Sequence, residues 1–539
     1  MANLRFLFLL VVITAITGCA QTPQTPTPTE AILAPTAAAV EPAYGGNVTR
    51  AITAEPSSLD PHAAPGSGQN IILPYMYDTL VYRDMDNNSQ PYLAKSWEIA
   101  PDGLTISFTL RDDVTFHDGT PLNADAVVFT FNRFKEAKSS AGSGLATMTG
   151  VEALDAYTVR FSFSAPSATF FSTLATPYAG IISPTAAAAA GEAFGQQPVG
   201  SGPFKFKEWQ QGTAVVLERN PDYHWSPGEI SNPGAPYIDN VIFKIIPDAS
   251  TQLAALQADE VDLIFVNAPS HIARLKEESS IQMVEAHLNS LIYLGFNLAH
   301  APLDDVTVRQ ALAHAVNKDE IIQAALGGVG EAAFAPMASS LPGFDPSLKA
   351  FELGFNPAQA SEMLAEAGFV AGDDGTLSKD GRPLNLKLLT YARAPNEDVA
   401  ILIQSQLKAI GVNVEIQQFD TPTAAKAATA GEFDLLLWRY DRNDSDVLNV
   451  NLHSSLIGSS NRFSYSNPQV DQLLDRAASE MDDAARAQYY IEAQKLILAD
   501  APWQPLYSPV DVLAVSKRVQ GFQLASMARV LLNEAQLTE

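Results

Sequence analysis

The sequence of 539 residues holds a single cysteine, Cys19. One thiol excludes an intramolecular disulfide and zinc sites of the Cys-rich kind. Cationic residues are scarce as well: 33 Lys and Arg stand against 60 Asp and Glu, a formal net charge of −27. A surface of that sign repels nucleic acid and anionic headgroups, so no nucleic-acid partner is expected. Catalytic signatures are missing. No GxSxG, HExxH or GxxxxGK[ST] occurs, which removes the nucleophile elbow, the metalloprotease helix and the phosphate-binding loop. Gly66-Ser67-Gly68, Gly142-Ser143-Gly144 and Gly200-Ser201-Gly202 read as turns, and Gly327-Gly328-Val329-Gly330 lacks dinucleotide spacing. The eight histidines include no i, i+4 pair, so no metal-ligating helix face is expected. Beyond the N-terminus no run of 18 apolar residues exists that could span a bilayer.

What is present is ample apolar material: 47% of the residues are hydrophobic, enough for two or three domains. Residues 1–18 read as a targeting segment. Arg5 makes a positive n-region, and the apolar stretch 6–17 spans only about 18 Å as a helix, against a bilayer core of ~30 Å. Ile16-Thr17-Gly18-Cys19 matches the lipobox of bacterial lipoprotein signal peptides, which makes Cys19 the expected lipidation site. Residues 19–45 then read as a Pro/Thr/Ala-rich tether, with five prolines between positions 21 and 42. Such a segment cannot bury a core, and at ~3.1 Å per residue it reaches roughly 70 Å. The expectation is a globular body held by lipid on the extracytoplasmic face of a membrane.

From Asn47 onward, pattern defines the elements. Ile106-Phe108-Leu110, Val159-Phe161-Phe163 and Val241-Phe243-Ile245 alternate with polar residues, as half-buried strands do. Asn356-Pro357 and Asn467-Pro468 are N-caps followed by Pro at the first helical position. Apolar faces follow each: Ala360, Met363, Leu364 and Ala367, then Val470, Leu473, Leu474, Ala477 and Met481. Val308, Ala311, Leu312, Ala315 and Val316 mark another helix. Between positions 384 and 438 the pattern is strand, helix, strand, helix, strand. That spacing predicts a parallel sheet with right-handed crossovers, whose ligands bind beyond the carboxyl ends of the strands.

At such an end stands LWRYDRNDSD, residues 437–446. Calcium is a poor fit, because an EF-hand loop opening at Asp441 needs Gly sixth and Glu twelfth, where Asp446 and Leu452 stand. A glycosidase pair needs carboxylates separated across a cleft, which neighbouring loop residues do not supply. Asp444 and Asp446 are expected to shape the turn and cap the following VLNVNL helix. Asp441, just after Trp438 and Tyr440, is expected to bind a cation such as an ammonium group.

These features resemble a family, the extracytoplasmic solute-binding proteins of ABC importers, family 5, of the dipeptide, oligopeptide and nickel type. The resemblance rests on EPSSLDPH (55–62), YMYDTLVYRD (75–84), the long segment 91–133, VGSGPFKFKEW and ERNPDYHW (199–225), and LGFNLAHAPLDDVTVRQALAHAVNKDEI (294–321). It implies an α/β, bilobate periplasmic-binding-protein-like fold (class II, large type) with an additional inserted domain. The implied first lobe is discontinuous, 46–63, 200–288 and 505–539. The inserted domain is 64–199 and the second lobe 289–504, with two chain crossings as the hinge.

The resemblance further implies a non-enzymatic receptor, with no cofactor and no metal, that delivers a short peptide to permease subunits and works as a monomer. In peptide-binding members, the aspartate of a Trp-x-x-Asp pattern pairs with the peptide's α-ammonium. Trp438-Arg439-Tyr440-Asp441 matches that pattern, so Asp441 carries the role, with Trp438 and Tyr440 walling the pocket and Arg439 a candidate for the peptide carboxylate. The family loop often continues to Asp-Pro, where this chain has Asp444-Ser445. Gly103, Gly119, Gly200 and Gly202 are expected to serve turns, and Arg309 to anchor its own helix. The alternatives are a receptor for chelated nickel, an oligosaccharide or an amine, a binding sensor, and a secreted hydrolase.

Overall fold

The computed structural model describes residues 42–538. The expected signal peptide, Cys19 and most of the tether lie outside the described residues. Two large sheets organise the rest. The first contains seven strands in the order Ile281–His287, Val510–Ser516, Leu263–Val266, Asn47–Ile52, Asn240–Ile245, Ala214–Arg219 and Phe204–Gln210. The second contains six: Glu331–Ala332, Trp503–Ser508, Ser290–Phe296, Leu435–Asp441, Asn385–Tyr391 and Asn413–Phe419. Each anchors one lobe, so each lobe draws strands from distant parts of the chain.

The predicted strand–helix–strand–helix–strand run forms, with no element end shifted by more than three residues. Asn385–Tyr391 pairs in parallel with both Asn413–Phe419 and Leu435–Asp441. The helices Asn396–Ala409 and Thr421–Thr429 make the crossovers. The sheet as a whole is mixed, because Ser290–Phe296 and Trp503–Ser508 join it antiparallel. The capped helices form as their sequences direct. Asn356 Oδ1 accepts from Gln359 N at 3.1 Å to open Pro357–Glu366, and Asn467 Oδ1 accepts from Gln469 N at 2.9 Å to open Pro468–Ser479. Met481 lies beyond that second helix and packs instead against the core of the inserted domain. Arg309 is buried and donates to the carbonyls of Leu303, Asp304, Asp500 and Ala501, so it locks its helix to the end of Asp483–Asp500.

A four-stranded antiparallel sheet, in the order Ala94–Ile99, Thr105–Leu110, Thr158–Phe163 and Met148–Asp155, forms the inserted domain with the helix Ala124–Ala137. Phe108, Phe131, Phe161 and Phe170 interlock at its centre, with Phe131 and Phe161 edge to face at 4.9 Å. Its core starts at Leu80. The preceding helix Ser67–Met76 sinks Ile72, Leu73, Tyr75 and Met76 into the core of the first lobe, and Ile182, Ala187 and Phe194 join them there. The residues expected at the edges of the insertion thus pack on the first lobe, where their apolar side chains find cover. Gly103 and Gly119 take positive φ, as turns require. Gly200 and Gly202 do not, and their role is close approach: a Cβ on Gly200 would stand 2.1 Å from the Met76 carbonyl oxygen.

The chain passes between the two large sheets at two places. Ile281–His287 and Ser290–Phe296 are separated by Leu288 and Asn289, and Trp503–Ser508 and Val510–Ser516 by Pro509 alone. The expected division at 504/505 therefore falls inside a strand of the second sheet, because Trp503–Ser508 keeps its pairing with Ser290–Phe296 up to Tyr507.

Candidate functional site

Leu435–Asp441 is an interior strand, antiparallel to Ser290–Phe296 with Ser290 opposite Asp441 and Ile292 opposite Arg439. Side chains along a strand alternate between faces. Leu435 and Leu437 enter one core cluster, and Leu436 and Tyr440 enter another. Arg439 and Asp441 continue the first of these faces to the strand's carboxyl end. There Arg439 Nε donates to Asp441 Oδ1 at 2.6 Å, and the Ser290 hydroxyl donates to the same oxygen. No hydrogen bond among the described residues uses Asp441 Oδ2.

Trp438 and Tyr440 stand on the opposite face. Tyr440 is buried, and its hydroxyl accepts from Ala338 N at 2.9 Å. Burial raises its pKa well above the ordinary tyrosine value. Trp438 meets Tyr391 edge to face, and the Arg462 guanidinium lies 4.8 Å from its ring centre. Neither lines the cavity that holds Asp441. The period of two separates the carboxylate from the aromatics expected to wall its pocket, and the cation on Trp438 comes from the chain itself.

That cavity has a volume of about 590 Å³, inside the ~300–1,000 Å³ range of ligand pockets. Both lobes build it. Ser290, Arg439, Asp441, Arg442 and Asn443 come from the second lobe, while Arg50, Phe265, Asp511 and Arg529 come from the first. Leu288 and Asn289 of one crossing also line it. Four arginines face two aspartates, so the cleft is locally cationic in an acidic protein. Burial raises the pKa of the Asp511 carboxyl, and the nearby Arg439 and Arg393 oppose that rise.

Asp444 and Asp446 serve elsewhere. Asp444 Oδ1 accepts from Asp446 N at 2.9 Å, which shapes the turn as expected. Its carboxylate also takes a forked contact from Arg486, accepts from the Ser172 hydroxyl of the inserted domain, and lies 4.0 Å from Arg83. Burial pushes its pKa up, and the charge and hydrogen bonds of Arg486 outweigh that, leaving it below the ordinary value. Asp446 precedes the helix Val447–Leu452 without making a side-chain cap bond, contrary to expectation. Its carboxyl is pushed up to about 7, first by burial and then by the charge of Asp444.

Arg50, Phe265, Asp511 and Arg529 were not evident as site residues in the sequence. A signal for two of them exists. Arg50 shares a strand face with Val48 and Ile52, and Asp511 shares one with Leu513 and Val515, all four core residues of the first lobe. A charge at an inward position of a strand is costly unless it has a task.

Among the described residues no helix is long and apolar enough to cross a membrane. No group of three His, Cys, Asp or Glu there is arranged to hold a metal ion.

Residues 88–456 match the family model described as bacterial extracellular solute-binding proteins, family 5 middle. Di/tripeptide-binding protein 2 of Pseudomonas aeruginosa is 30% identical over 468 residues, covering 81% of this chain and 84% of the relative. Oligopeptide-binding protein AppA of Bacillus subtilis is 30% identical over 498 residues, covering 90% of each chain. The solved structure of AppA in complex with a nonapeptide superposes with a TM-score of 0.72 at 28% identity, over 93% of this chain and 100% of that one. The chain belongs to the extracellular solute-binding proteins of family 5, the binding components of ABC importers, with their bilobate α/β fold. Proteins of this family are extracytoplasmic, and the relatives named are binding proteins, not enzymes.

Proposed function

We propose that the chain is a lipid-anchored receptor that captures a short peptide between its two lobes and delivers it to the permease of an ABC importer. The observation that carries this reading is the cavity itself, built by both lobes at the chain crossings, with Asp441 at the carboxyl end of a parallel-paired strand. Asp441 receives the α-ammonium of the peptide through Oδ2, while Arg439 and Ser290 hold Oδ1 and fix the carboxylate plane. A ligand that touches both lobes gains its full contacts only when they approach, so binding shifts the population toward closure. The closed form is what the permease recognises. Cys19 carries the lipid and the Pro-rich segment gives the body its reach. The names of the two relatives and the peptide in the AppA structure support a peptide ligand.

Calorimetric titration with tripeptides tests the site. Asp441→Asn is expected to weaken binding by about 2–5 kcal/mol, the cost of removing one partner of a desolvated charge pair. N-acetylation of the peptide is expected to weaken wild-type binding similarly. Unchanged affinity in Asp441→Asn removes Asp441 from the site.

A further inference from the structure

The inserted domain travels with the first lobe. The chain enters and leaves it from that lobe, and Tyr223 and Trp225, which follow it in sequence, sit inside its core. Asp78, buried, fastens the two together by accepting from Trp225 Nε1 at 2.8 Å and from the Ser201 hydroxyl at 2.9 Å. The helix Ser67–Met76 is sunk in the core of the first lobe.

This body also grips the second lobe directly, through contacts in which no ligand takes part. Arg83 donates to the Ser172 hydroxyl at 2.6 Å, and that hydroxyl donates in turn to Asp444 of the second lobe. Asn87 Oδ1 accepts from Ser526 of the first lobe at 3.2 Å, while its amide nitrogen donates to the Ser340 carbonyl of the second. Ala168 N donates to the Ala478 carbonyl at 3.3 Å, and nearby Met481 packs on the core of the inserted domain. Arg83, Asn87 and Ser172 are all buried. The grip borders the ligand cavity on both sides. Thr176, four residues past Ser172, lines it, and so do Arg442 and Asn443, which immediately precede Asp444.

A rigid rotation preserves only the contacts on its axis. The grip reaches the second lobe at three separate stretches, Ser340, Asp444 and Ala478–Met481, and a hydrogen bond is lost once its partners part by roughly 1 Å. A rotation of that lobe about the two crossings therefore cannot keep all three. Asp444 and Arg486 lie on the same lobe and stay together whichever way the lobes move. We infer that the inserted domain is a clasp: through Ser172, Asn87 and Ala168 it holds the second lobe against the first without ligand, and so sets how readily the chain opens. The inference rests on the proposed function in taking the two crossings as the hinge, and it is indifferent to the chemistry of the ligand. Affinity for any ligand that needs the lobes together scales with the fraction of chains in which they already are. Cavity contacts then decide which ligand binds, and the clasp scales the affinity of all of them alike.

Small-angle X-ray scattering of the full chain, stripped of small molecules by unfolding and refolding, reads the clasp with no ligand present. The wild type is expected to fit the two lobes as placed in this structure. Ser172→Ala, Met481→Ala and their combination, which act on opposite sides of the clasp, are expected to increase the radius of gyration, the combination most. Calorimetric titration with three tripeptides of unrelated sequence is expected to show all three weakened by one common factor, about three- to tenfold for Ser172→Ala. Residues that merely support the inserted domain would lower the melting temperature and leave the ligand-free scattering as it was, so unchanged scattering in the combination overturns the inference. An open ligand-free wild type overturns it too, as does a loss of affinity that differs from one tripeptide to another. Should a variant not fold, the other variant and the wild-type scattering decide. If no tripeptide binds the wild type, the peptide reading fails, and the clasp is judged by the scattering alone.

Discussion

Asp441, Asp444 and Asp446 look alike in the sequence and differ in what surrounds them. Asp441 keeps one oxygen free of hydrogen bonds among the described residues, Asp444 is spent on Arg486 and Ser172, and Asp446 is pushed up in pKa to about 7 by burial and by Asp444. The last has a pH consequence. Between its ordinary value of 3.8 and about 7, Asp446 binds more protons in the folded than in the unfolded state. The slope of stability with pH follows the protons bound unfolded minus those bound folded, so this group lowers stability as pH rises through that window. Asp446→Asn is expected to gain stability over the wild type at about pH 8 and little at about pH 4, checked by urea midpoints at both. His62 pulls the other way. Burial holds its pKa down at about 3 against the ordinary 6.5. It thus disfavours the fold as pH falls below about 6.5, so the asparagine variant must be compared at each pH with the wild type. Gly200 offers a steric test. Gly200→Ala would drive a Cβ onto the Met76 carbonyl and is expected to cost ~1–3 kcal/mol in chemical denaturation.

At the scale of elements, the cluster of Asp444, Arg486, Ser172 and Arg83 joins the inserted domain to the second lobe. Asp444→Ala leaves Arg486 buried without its partner and is expected to destabilise by about 3–5 kcal/mol, with loss of cooperativity between domains in calorimetry. The proline that family loops place after that aspartate is Ser445 here, whose hydroxyl donates to the Pro342 carbonyl and pins the loop by another means. The run from 384 to 438 was legible because its periodicity and caps are local. Its antiparallel neighbours were not, since Ser290–Phe296 and Trp503–Ser508 arrive from far along the chain and no local pattern encodes such pairing. The site was half legible for a related reason. The carboxyl end of a parallel strand located Asp441, but the aromatics were placed beside it by adjacency in sequence. In a strand, adjacent residues face apart, which is why Tyr440 lies in the core. Arg50 and Asp511 carried a readable sign, a charge where the alternation asks for an apolar residue, yet only the fold shows that these positions border a cleft.

The whole molecule sets a cationic cleft inside a chain of net charge −27. The acidic exterior governs long-range encounter, and the arginines act only within the cavity, where water is displaced and charges are less screened. The two crossings, Leu288-Asn289 and Pro509, are the sole covalent links between the two large sheets among the described residues, and one of them lines the cavity. On the proposed reading these crossings are the hinge, so ligand contact and hinge are neighbours, as a receptor that closes on its cargo requires. The most direct measurement is native mass spectrometry of the purified chain followed by release of whatever it holds. The account predicts short peptides with free amino and carboxyl ends. Recovery of a sugar or a metal complex in their place would contradict it.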